Sequence, residues 1–190
     1  MKREVENGEN VLRVLLDTKQ ALEKNDTTWL KNLSNQTIHT ASTKQDSTNI
    51  TLAVIVYSIS KILERTDYKK YPDWQKLYNT IIISFEASVA AAKSHDSNKL
   101  KLNLNKIRKI ITKLSGNFKK NIEEVFRKAS ISKASRIYEH GISMEKTAKL
   151  LGVTQYELAD YAGKTGISNM PEGKTASLRQ RIKMAEKIFQ

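Results

Sequence analysis

The sequence predicts an all-α protein: an N-terminal antiparallel helical bundle with a long basic helix, followed by a C-terminal helix-turn-helix unit. Three observations predict it. Apolar residues recur at i, i+3, i+4 and i+7 through most of residues 9–128, the spacing of one helix face. Only 7 Gly and 2 Pro are spread over 190 residues, too few for a fold of many tight turns. Residues 141–163 place a helix cap, a glycine and a second cap where two short helices would join at a sharp turn.

Leu12, Leu15 and Leu22 mark a first helix that ends near Lys24-Asn25-Asp26. Trp29, Leu30, Leu33, Ile38 and Ala41 mark a second, with Asp26 or Thr27 as its cap. Leu52, Ile55, Val56, Ile59, Ile62 and Leu63 mark a third; their Val and Ile content also suits a strand, but the spacing favours helix. Pro72 suits the first turn of a fourth helix, carried by Trp74, Leu77, Tyr78, Ile81, Phe85, Val89 and Ala92. Leu100, Leu104, Ile107, Ile111, Leu114, Phe118, Ile122 and Val125 form a seam that reads as one long helix, bent at most at Gly116. Such a spine can pack within the bundle or pair with a second copy of the chain. Short helices are expected at 131–139, 144–151 and 154–163, and a last amphipathic one at Thr175–Phe189. Residues 1–130 are thus read as the bundle and 131–190 as the helix-turn-helix domain. No internal repeat stands out.

The absence of Cys excludes a disulfide framework and thiol chemistry. The N-terminus is too polar for a signal peptide, and the apolar stretches Leu52–Ile59 and Ile81–Ala92 are too short to span a bilayer. The expectation is a cytoplasmic protein with no membrane partner. A net charge of +13 points to an anionic partner, with DNA the foremost. Lys99–Lys128 holds 10 basic residues against Glu123 and Glu124, more than half of that charge. Lys109, Lys113 and Lys120 would share an outer face of the long helix and contact phosphates. An ordinary solvated face is the plainer reading of the same charges.

In the C-terminal unit, Ser143 caps one helix and Gly152 takes the left-handed turn. Thr154 caps the next, and Ala148, Leu151, Leu158 and Tyr161 close a small core. Thr154, Gln155, Tyr156 and Asp160 would face base edges, with Gln155 suited to adenine and Glu157 to cytosine N4. Arg136, Lys146 and Lys149 would meet phosphates. Residues 141–163 nevertheless carry two lysines against three acids, a net of −1. That balance suits a protein partner as well.

The lead-in Ile137-Tyr138-Glu139-His140-Gly141-Ile142-Ser143, then Lys146, Ala148, Gly152, Val153 and Thr154, and the closing Gly166-Ile167 resemble one small prokaryotic family. It is the helix-turn-helix antitoxin family paired with PIN-domain ribonuclease toxins. The likeness covers about a fifth of the chain and leaves the basic bundle unaccounted for. It implies a toxin-like protein partner or a homodimer as the alternative to DNA.

Nothing in the sequence points to catalysis or to a bound cofactor. His39 lacks a preceding Arg at the spacing of small all-α ribonucleases, and His95 beside Asp96 does not make a metal site. His140 follows Arg136 by four residues but sits at a helix end, where a favourable dipole contact accounts for it. No phosphate-binding glycine loop or nucleophile elbow is present. The chain is therefore read as a non-enzyme.

Overall fold

The computed structural model describes residues 2–44, 47–139 and 142–165, and the described residues are all helix and turn. Eight α-helices follow in order: α1 (Lys2–Glu23), α2 (Thr27–Lys44), α3 (Ser47–Leu63), α4 (Trp74–Lys93), α5 (Ser97–Ile110), α6 (Gly116–Glu139), α7 (Met144–Leu151) and α8 (Gln155–Lys164). Two 3-10 turns, Thr66–Lys70 and Ile111–Lys113, join α3 to α4 and α5 to α6. The expected last helix, Thr175–Phe189, lies outside the described residues, as do His140, Gly141, Gly166 and Ile167. Among the described residues, no helix is long and apolar enough to cross a membrane.

Each helix buries the face its spacing marks. α1 buries Val11, Val14, Leu15, Thr18, Ala21 and Leu22, and Asp26 caps α2 by accepting the Trp29 amide at 2.8 Å. α3 is apolar nearly all round and is buried on nearly all sides. Its Ile55, Val56, Ile59 and Ile62 join the bundle core, while Ile50, Ala53 and Val54 join a second core under the C-terminal unit. α4 starts at Trp74, so Pro72 sits in the turn before it rather than in its first turn.

The expected long helix is two helices. Every residue of the seam from Leu100 to Val125 is buried, but the chain breaks between Ile110 and Gly116. Leu114 is extended and Gly116 takes φ +56°, a conformation glycine adopts without steric cost. The Ser115 amide and hydroxyl both donate to Asp73, at 2.9 and 2.8 Å, so the Ser115 amide is satisfied at the break. The expected helix at 131–139 is the end of α6, which runs without interruption through residues 130 and 131. Phe118, Ile122, Val125 and Phe126 of α6 pack in the bundle core, and Ala129, Ala134 and Ile137 in the second.

Two hairpins are built alike. Buried Val11, Leu15, Ala21 and Leu30 correspond, 70 residues on, to buried Ile81, Phe85, Ala91 and Leu100. Asn25 and His95 both take left-handed φ, 51° and 54°, and Asp26 and Asp96 both cap the helix that follows. The correspondence escapes the sequence because equivalent places hold different residues, such as Leu15 and Phe85.

Candidate nucleic-acid interface

The helix-turn-helix forms as its caps demand. Ser143 Oγ accepts the Lys146 amide at 3.3 Å and starts α7. Gly152 ends it at φ +66°, and the Val153 amide returns to the Ala148 carbonyl at 3.1 Å. Apart from the adjoining residues of the chain, nothing lies within 4 Å of where a Gly152 Cβ would stand, so the backbone torsion alone calls for glycine. Ala148, Leu151, Leu158 and Ala162 are buried between the two helices and α6. Tyr161 is only half-buried and faces a side cleft.

Thr154 and Glu157 form a reciprocal cap at the start of α8. Thr154 Oγ1 accepts the Glu157 amide at 3.1 Å, and Glu157 Oε2 accepts the Thr154 amide at 2.9 Å and its hydroxyl at 2.8 Å. The other carboxylate oxygen accepts from Arg127 Nε on α6 at 2.6 Å. One side chain thus caps α8 and latches it to the long helix beneath. The Thr154 amide and hydroxyl, then Arg127, hold this carboxyl down at about 2. Glu157 therefore faces inward to these partners and not toward a base.

The remaining expected residues divide into three groups. Gln155 and Tyr156 stand in solvent, Tyr156 at 81% exposure. Asp160 is exposed but paired with Lys164 at 2.7 Å. Arg136 is exposed on the last turn of α6 and paired with Glu139 at 3.0 Å, while Lys146 and Lys149 are exposed on α7. Lys109, Lys113 and Lys120 do not share one helix face: they lie on the last turn of α5, in the 3-10 turn and on the first turn of α6. The break at Ser115-Gly116 separates them.

Two features escaped the sequence. A cleft of about 850 Å³ runs between the end of α3, the middle of α6 and α8. Apolar Val125, Ala129 and Ile131 line it together with charged Lys61, Arg65, Arg127 and Lys128. Beside it, Lys133 is 2% exposed. Its ammonium donates to Asn35 Oδ1 at 2.7 Å and lies 4.0 Å from the centre of the Tyr57 ring. Burial, and then the nearby cations Arg136 and Lys61, pull its pKa down to about 8. The one available signal was position: Lys133 falls four residues after Ala129 and four before Ile137, on a buried stripe.

No family model matches the chain, and neither does any curated protein or solved structure.

Proposed function

We propose that the chain is a DNA-binding transcriptional regulator of the cytoplasm, reading duplex DNA through α8. The observation that carries this reading is the presentation of α8. Its start is fixed by the Thr154–Glu157 cap and the Arg127 latch, while Gln155, Tyr156, Ala159 and Asp160 are left in solvent. A recognition helix needs that combination, a rigid mount and a free face at its N-terminal end. Gln155 is suited to pair with adenine, and the Thr154 hydroxyl, engaged in the cap, serves position rather than base contact. Arg136, Lys146 and Lys149 flank the motif as phosphate contacts. Asp160 opposes a phosphate backbone, and its pairing with Lys164 reduces that cost.

A second reading is favoured by Tyr156. An aromatic side chain exposed to 81% in a motif of net charge −1 suits a protein surface, in the manner of an antitoxin gripping a toxin or a second copy of the chain. Selection of binding sites from genomic fragments, followed by titration across salt, separates the two. DNA reading predicts one enriched sequence whose affinity falls with salt and is lost in Gln155→Ala/Tyr156→Ala. Recovery of no enriched sequence, with capture of one protein partner that needs Tyr156, replaces it with the second reading.

A further inference from the structure

The break between α5 and α6 brings four turns together at one end of the bundle. The Tyr71 ring stacks on Phe118 at 4.7 Å, Lys76 donates to the Lys113 carbonyl at 3.3 Å, and Asp73 holds Ser115. The 3-10 turn before α4, the first turn of α4, the turn after α5 and the first turn of α6 are thereby fastened side by side. Lys69, Lys70, Lys76, Lys113, Lys119 and Lys120 sit on these turns, five of them exposed and Lys119 half-buried. Segments 66–76 and 111–120 carry six lysines against Asp67 and Asp73, and Asp73 is occupied by Ser115.

Several cations elsewhere are paired, Lys31 and Lys61 with Glu64, Arg127 with Glu157, Lys128 with Glu124, Lys164 with Asp160, while among the described residues others such as Lys93, Lys101 and Lys109 are not. Among the described residues, no carboxylate stands within ion-pair distance of any of the six lysines. Like charges so gathered repel one another and favour a polyanion that would relieve them.

We infer that this bundle end is a second, sequence-independent surface that binds the phosphate backbone of nucleic acid. Lysines serve this role as point charges, and nothing in the cluster supplies the forked donors that read bases. An anionic membrane is the poorer fit, because such surfaces are held by apolar insertion as well as charge. Among the described residues, the exposed large apolar side chains are Leu16, Ile83, Leu102 and Tyr156, none of them on these turns. The surface is placed to act with α8: Lys120 and Arg127 are seven residues apart on one face of α6, about 11 Å along it. Arg127 in turn touches Glu157 of α8. The inference does not depend on α8 reading bases.

The test is titration of a short duplex of random sequence by fluorescence anisotropy across salt. A variant with Lys69→Gln, Lys70→Gln, Lys119→Gln and Lys120→Gln is compared with one of equal charge change outside the cluster, Lys24→Gln, Lys93→Gln, Lys99→Gln and Lys101→Gln. The first should lower the salt slope by about 0.9 for each phosphate contact removed, equivalent to about eightfold in affinity per contact near 0.1 M salt. The second should leave the slope close to that of the native chain. Gln155→Ala/Tyr156→Ala should leave random-sequence binding unchanged, so loss of α8 reading is distinguishable from loss of this surface. Equal effects of the two quadruple variants, or none from the first, overturn the inference. So does cluster-dependent binding to phosphatidylserine vesicles without binding to the duplex.

Discussion

In the proposed reading, the helix-turn-helix and the basic bundle end divide between them what one DNA-binding surface would ordinarily combine. α7 and α8 have the shape of a reader, yet residues 141–163 carry a net charge of −1, and one of their three acids, Glu157, is engaged in holding the motif together. The bundle end has no reading element, yet it gathers lysines that lack acidic partners among the described residues. Glu157 shows the distinction most clearly. At a solvent-facing position it would repel phosphate, but here it caps α8 and binds Arg127, so its charge is largely satisfied before any ligand arrives. A motif's net charge is therefore a poor guide to its surface, and the whole chain's +13 a poor guide to the motif.

Removing the packing under α8 should have the largest effect. Leu158 is fully buried between α8 and its neighbours, and Leu158→Ala should destabilise the second core by about 2–5 kcal/mol. Hydrogen exchange should show faster opening of α7 and α8 while amides of α1 and α4 keep their protection. Uniform loss of protection would mean the two cores unfold as one.

Lys133→Met should act in the opposite direction. The folded pKa of about 8 lies below the ordinary lysine value of about 10.4, so burial penalises the charged form. The penalty is full below pH 8 and fades as pH rises toward the unfolded value. Denaturant titrations should find the variant more stable by up to about 3 kcal/mol at neutral pH, with the advantage shrinking above pH 8. Loss of the Asn35 hydrogen bond and the Tyr57 contact will reduce the gain, but a variant less stable at neutral pH would refute the assignment of Lys133 as a strained cation.

Gly152→Ala should cost about 1–2 kcal/mol, because its left-handed backbone is the only obstacle and no neighbour blocks a methyl group. An intact thermal transition with a lower midpoint is the expected result; no change would mean that the turn relaxes to another conformation.

Acid should give the subtlest effect. The Glu157 carboxyl is depressed to about 2, so its stabilisation is present above the unfolded value near 4.5 and is lost as pH falls toward 2. Amide resonances of Thr154 and Glu157 should move in that window, and Glu157→Gln should abolish the pH response. A titration midpoint at the ordinary glutamate value would contradict the latch.

What the sequence revealed was local. Ser143, Gly152 and Thr154 act on amides within a few residues, so their spacing suffices to place α7 and α8. The buried seam from Leu100 to Val125 was legible for the same reason. Its break was not, because the spacing of three and four continues through the 3-10 turn and because the partner that fixes it, Asp73, is 42 residues away from Ser115. Lys133 and Asn35 are 98 residues apart, and Arg127 and Glu157 are 30. No periodicity encodes such meetings. They decide which charges are paired and hence which surface is left for a ligand.

The most direct measurement of the central claim is a map of backbone resonances as a selected duplex is added to the intact chain. Reading by α8 predicts the largest changes at Gln155, Tyr156 and Ala159, present with the selected sequence and absent with a scrambled one. Changes that are equal for both sequences, or that leave α8 untouched, would contradict it.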